Sequence, residues 1–118
     1  MRTVALLAKA VAKDARVVSA EQALRMATIN GAKALGLDKE IGSLEAGKAA
    51  DIIAVDFSAI ETMPIYHPVS QLVYAANRQQ VSDVWVAGNH VVNQHNLVTL
   101  DTEHLCQTAQ QWQEKINS

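Results

Sequence analysis

Cysteine is nearly missing from this 118-residue chain: Cys106 stands alone, which excludes an internal disulfide and fits a reducing, cytoplasmic setting. Aromatic residues are almost as scarce. Two Trp, two Tyr and one Phe argue against a surface built to stack on bases. Charge of one sign is not in excess either. Ten basic residues face twelve acidic ones, so neither nucleic acid nor an anionic membrane is expected as a partner. No apolar run approaches the roughly 20 residues that cross a bilayer. The first residues carry Lys9 and Lys13 inside an apolar pattern and no cleavage site, unlike a signal peptide. Repeats and low-complexity segments are absent. What remains is a composition of 49% apolar and 19% charged residues, enough to fold one modest domain.

The apolar residues are ordered. Val4, Leu7, Ala8 and Val11 fall at i, i+3, i+4 and i+7, which predicts a helix over residues 1–14 with that stripe buried and Lys9 and Lys13 on a solvated side. Ala20, Ala23, Leu24, Ala27, Gly31, Ala34 and Leu35 predict one helix over residues 20–35 whose small-residue face packs closely on another element. Ser19 and Gln22 have capping-box spacing, and Gly36 stands where a helix would stop. The run Ile52-Ile53-Ala54-Val55 reads as a strand buried on both faces. Pro68 suits the first position of a two-turn helix carrying Val69, Leu72, Val73 and Ala76. Residues 81–87 alternate as a strand, Gly88-Asn89 suits a tight turn, residues 90–93 return, and residues 97–100 could add a third short strand. Asp101 or Thr102 can cap a last helix with Leu105, Ala109, Trp112 and Ile116 along one side. So few short strands make a small sheet with open edges, which invites pairing with more protein.

The chemistry is thin. His67, His90, His95 and His104 form neither His-x-His nor His-Glu-x-x-His, so convergent metal ligation is not expected and a hydrogen-bonded or solvated role is. Cys106 lies one position off its helix's apolar stripe with no base or cationic group beside it, as an inert thiol would. No serine sits in Gly-x-Ser-x-Gly, and the glycines from Gly42 to Lys48 have the wrong spacing for a phosphate cradle. Asp51 and Asp56 stand at opposite ends of one strand. Structural work is expected of them: Asp51 to bond the preceding turn, Asp56 to end the strand. No catalytic, cofactor-binding or metal-ligating residue is assigned to this chain.

One longer pattern stands out. Thr28-Ile29-Asn30-Gly31-Ala32-Lys33-Ala34-Leu35-Gly36-Leu37 is followed by Ile41-Gly42-Ser43-Leu44-Glu45-Ala46-Gly47-Lys48-Ala49-Ala50-Asp51 and the strand to Asp56. It resembles the C-terminal region of the amidohydrolase superfamily, in the branch of triazine hydrolases and methylthioadenosine/S-adenosylhomocysteine deaminases. Residues 1–9, 66–77 and 83–92 resemble that branch too. The resemblance implies a parent enzyme with a (β/α)8 barrel, a divalent metal such as zinc, and a small β-sandwich composed from both chain ends. Such an enzyme would use metal-activated water to hydrolyse a C–N bond other than a peptide bond, in a heterocyclic or adenosine-like substrate. None of the family's metal ligands has a counterpart here.

The expected fold is therefore an α+β fragment: the last helices of a barrel (residues 1–36), then the C-terminal strands of a composite sandwich with a terminal helix (residues 37–118). The chain alone is expected to hold no cofactor and to be non-catalytic. Its expected partner is the missing N-terminal barrel portion, or itself. The alternative is an independent interaction module that oligomerises through open sheet edges.

Overall fold

Ser19 starts its helix as its hydroxyl dictates. In the computed structural model, which describes residues 1–117, Ser19 Oγ accepts the Gln22 N–H at 3.3 Å while Gln22 Oε1 accepts the Ser19 N–H at 2.8 Å. That capping box opens α2 (Ala20–Ala27), which lies between α1 (Arg2–Ala12) and α3 (Ile29–Ala34). The single helix expected over residues 20–35 is thus two. Thr28 breaks it, with φ −123° and ψ −106°, while its hydroxyl donates to the Leu24 carbonyl at 2.8 Å. The bend is tight: a Cβ on Gly31 would lie 3.2 Å from the Met26 carbonyl oxygen. The break also rotates the inner face. Ala20 and Ala23 are buried as expected, but Ala32 is buried in place of Ala27 and Ala34, and Leu35 is exposed. Gly36 then takes φ 73°, the left-handed conformation expected past a helix end.

Helix α1 corrects the sequence reading more sharply. Ala5 is its buried residue, whereas Val4, Leu7 and Val11 of the expected stripe are exposed. Lys9 turns inward, not outward. Its Nζ donates to the Val17 and Val18 carbonyls at 2.6 and 2.7 Å and ties down the α1–α2 connection. Periodicity finds a stripe but cannot say which element covers it. The core here is small: Ala5, Ala20, Ala23 and Val73, flanked by Val18, Val69 and Tyr74. Val73 comes from the segment begun by α4 (Pro68–Ser70), with Pro68 at its first turn, and continued as a wider turn over Gln71–Ala75.

The remaining chain forms a four-stranded antiparallel sheet in the order β1 (Ile52–Val55), β2 (Val81–Val86), β3 (Asn89–Asn93) and β4 (Asn96–Leu97). Strand β1 is an edge, and Ile53 is 56% exposed, so the strand is not buried on both faces as its apolar run suggested. The third short strand ends at Leu97 rather than Leu100. The hairpin turn is Ala87-Gly88, not Gly88-Asn89, because Val86 pairs with Asn89. Both turn residues have positive φ, 48° and 80°, which matches the twist of a two-residue hairpin. Asp51 and Ala50 hold that turn: Asp51 Oδ1 accepts the Ala87 N–H at 2.7 Å and the Ala50 carbonyl accepts the Gly88 N–H at 3.0 Å. Asp51 therefore bonds a turn 36 residues away, not the preceding one. Asp56 ends β1 as expected, accepting the Ser58 N–H at 2.8 Å.

Helix α5 (Thr102–Asn117) follows, capped by Asp101 Oδ1, which accepts the His104 N–H at 3.0 Å. It buries none of its residues. Its apolar stripe is uncovered within this chain: Leu105, Trp112 and Ile116 are all exposed.

Candidate functional site

Two histidine–carboxylate pairs gather the titratable chemistry. On the helical side, His67 precedes α4 and accepts the Ser70 N–H on Nδ1 at 3.3 Å, while its Nε2 lies 3.3 Å from Glu21 Oε1 at the start of α2. The Glu21 carboxyl is held below its usual range by its own backbone N–H, then by Ser19 and His67. On the sheet, His90 Nε2 lies 3.0 Å from Asp83 Oδ1, and its ring stacks on Trp85 with centroids 4.5 Å apart. Asp83 is held low first by the Ser82 hydroxyl, then by the Gln94 N–H and His90. The first pair joins segments 46 residues apart and the second spans a hairpin, and nothing in the sequence pattern announces either one.

These pairs do the work of ties. Among the described residues, no three His, Cys, Asp or Glu side chains converge as a metal would require. His95 and His104 join neither pair, and Cys106 is exposed on α5. The residues present do not fit a divalent metal. Lys48, the lysine of the glycine-bearing segment, is also structural: its Nζ donates to the Asp38 carbonyl at 2.5 Å and to Ser43 Oγ at 2.6 Å. Among the described residues, no helix is long and apolar enough to cross a membrane.

The conspicuous surface is apolar. The strand register sets Ile53, Val84, Val92 and Leu97 side by side across all four strands, hence on one sheet face. Ile53 and Leu97 at its ends are exposed, and beside Val84 and Val92 lies an open hollow rimmed by Arg78 and His95. Helix α1 offers Val4, Leu7 and Val11 on its outer side, and α5 offers Leu105, Trp112 and Ile116. Sequence reasoning locates the stripes of both helices and expects that of α1 to be buried.

The profile of the amidohydrolase family matches residues 1–91. The whole chain is 47% identical to 27% of a 5-methylthioadenosine/S-adenosylhomocysteine deaminase from Teredinibacter turnerae. Over 98% of its length it superposes, with a TM-score of 0.89 and 52% identity, on 26% of an adenosine deaminase from Xanthomonas campestris solved with bound zinc. A zinc-complexed atrazine chlorohydrolase from Arthrobacter aurescens matches 77% of the chain and 20% of its own at a TM-score of 0.69 and 31% identity. The chain spans about a quarter of the length of the relatives it matches. By family match and by identity, the chain belongs to the amidohydrolase family.

Proposed function

We propose that this chain is the C-terminal portion of a metal-dependent amidohydrolase that removes an amino group from an adenosine-like or related heterocyclic substrate by C–N hydrolysis. One observation carries the reading. The full length of the chain matches only about a quarter of deaminases at 46–47% identity, and an equally partial share of a zinc-bound adenosine deaminase at a TM-score of 0.89. In this reading α1 to α3 are the closing helices of a (β/α)8 barrel, β1 to β4 are one share of a composite sandwich, and the residues divide near 36. The metal supplies activation of water, and its ligands lie outside this chain. The chain's own residues contribute scaffold: Ser19, Lys9 and Lys48 lock the helical layer and its exit, and Asp51 and Asp83 lock the hairpin. A cytoplasmic location belongs to the same reading, supported by a single free cysteine.

The test joins the chain covalently behind the roughly three quarters of the Teredinibacter turnerae deaminase that it does not match. The joined protein is expected to retain zinc and release ammonia from 5-methylthioadenosine or S-adenosylhomocysteine. The 118-residue chain alone is expected to do neither. A folded, zinc-loaded joined protein inactive on aminated purines and triazines would sink the reading, as would stoichiometric zinc on the isolated chain.

A further inference from the structure

The two histidine–carboxylate ties differ in their surroundings. His67 and Glu21 are 57% and 53% exposed, so solvent screens that pair. His90 and Asp83 are 33% and 19% exposed, and they have a third member. The pairing of β2 with β3 shifts register after Val84, so that Trp85 falls opposite His90. A bulge of this kind re-aims side chains. Here it sets the two rings face to face, 4.5 Å apart and 9° from parallel. Asp83, two residues before Trp85, accepts from His90 Nε2 on Oδ1 at 3.0 Å. The same oxygen accepts the Gln94 N–H at 3.3 Å. Gln94 and His95 form the turn between β3 and β4, with φ of 45° and 67°. Residues other than glycine adopt that conformation at a cost, so the turn needs holding. Asp83 holds the turn, and His90 holds Asp83.

We propose that Asp83, His90 and Trp85 form a proton-responsive latch, which closes the β3–β4 turn more firmly when the imidazole is charged. The neutral ring gives Asp83 one ordinary hydrogen bond. The imidazolium makes that bond charge-assisted and lays its positive charge on the indole face. The carboxyl of Asp83 is held below its usual range, first by the Ser82 hydroxyl, then by the Gln94 N–H and His90. It is therefore ionised throughout the interval of roughly pH 5–8 in which histidine changes charge. Other charges stand aside. From β1 the register brings Ile52 and Ala54 opposite Trp85 and Asp83, and neither is charged. From the turn comes His95, whose charge bears on Asp56, a carboxyl held low chiefly by Ser58. The folded chain thus holds a proton that the unfolded chain releases. The stability added by the latch is full on the acid side of the imidazole range and is lost as pH rises through it. That sign is opposite to the carboxylate ties, which weaken as pH falls. Every member lies on β2, β3 or the turn after them, so the latch stands apart from the catalytic reading.

The test uses the complete 118-residue chain carrying Trp112→Phe, which leaves Trp85 as the sole tryptophan. An imidazolium stacked on an indole quenches its emission, so Trp85 reports the charge on His90. Between about pH 8 and about pH 6 the emission of the folded chain is expected to fall. Over the same interval the unfolding equilibrium constant in urea is expected to fall about two- to tenfold. His90→Gln retains a neutral donor and should abolish both changes. His67→Gln, at the exposed pair, should leave both in place. If circular dichroism shows that His90→Gln does not fold, nuclear magnetic resonance on the unsubstituted chain decides. The His90 ring, the Trp85 indole and the Gln94 amide are then expected to shift with one common midpoint. Three outcomes overturn the latch: emission or stability that stays flat over the interval, changes that survive His90→Gln, or a Gln94 amide that does not follow the His90 ring.

Discussion

The loop from Asp38 to Ala50 and helix α5 solve opposite problems. The loop has little apolar surface to bury and closes on itself. Lys48 reaches the Asp38 carbonyl and Ser43, Ser43 Oγ donates to Glu45 at 2.6 Å, and the Glu40 carbonyl accepts the Ala49 N–H at 2.8 Å. Helix α5 has a good cap and a full apolar stripe, and buries none of its residues. Polar geometry of short reach is complete within this chain, whereas the apolar faces of α1, the sheet and α5 stay uncovered. Stability measurements on the isolated chain should therefore respond to the loop and ignore the helix.

Gly42→Ala is the strongest blow to the loop. Gly42 has φ 90°, and a Cβ there would sit 2.7 Å from the Ala32 Cβ and 3.0 Å from the Ile29 Cα. Left-handed strain and overlap together should cost roughly 2–4 kcal/mol in urea unfolding. An alanine variant as stable as the parent would mean that the loop does not lie against α3. Lys48→Met comes next. The Lys48 side chain is 10% exposed, so its loss strands the partly buried Asp38 carbonyl at a cost of about 1–3 kcal/mol. Its contact with Glu45 at 3.7 Å adds little, because that carboxylate is 63% exposed.

Acid should act on the same ties more gently. Glu45 is held below its usual range by the Ser43 hydroxyl and then Lys48, and Asp56 by Ser58. A carboxylate whose folded pKa lies below its unfolded one stabilises the fold above the ordinary carboxylate range, and that contribution is lost as pH falls through the range to the lower folded value. Midpoints of urea unfolding should therefore drop below about pH 5, and Glu45→Gln should flatten the dependence. An unchanged slope in that variant would remove Glu45 from the account.

How far the sequence carries the reader follows the same division. The Ser19 box, the Gly36 stop, the Pro68 start and the Asp101 cap all appear as written, because each is satisfied within four residues. Failures begin where a face must choose a partner. Four-residue spacing to Lys13 puts Lys9 on a polar side, but the carbonyls of Val17 and Val18 draw it inward. Apolar spacing continues across Thr28 and so predicts one helix over residues 20–35 where two form. The His67–Glu21 and His90–Asp83 ties were illegible, since pairing across 46 residues or across a hairpin leaves no local signature.

Trp112→Ala should have the smallest effect and sharpens the comparison most. The indole is 60% exposed, and its clearest partner is Lys115 Nζ, 5.1 Å from the ring centroid. Removing an exposed contact of this kind should change the unfolding free energy of the isolated chain by less than about 1 kcal/mol. In the joined protein the same substitution should cost several times more, about 3–5 kcal/mol, because a large aromatic buried against other protein loses its packing when truncated. A helix that matters only in company gives this asymmetry. If Trp112→Ala instead destabilised the isolated chain as much as Lys48→Met, α5 would have to pack on its own sheet in solution, and the contrast between loop and helix would collapse.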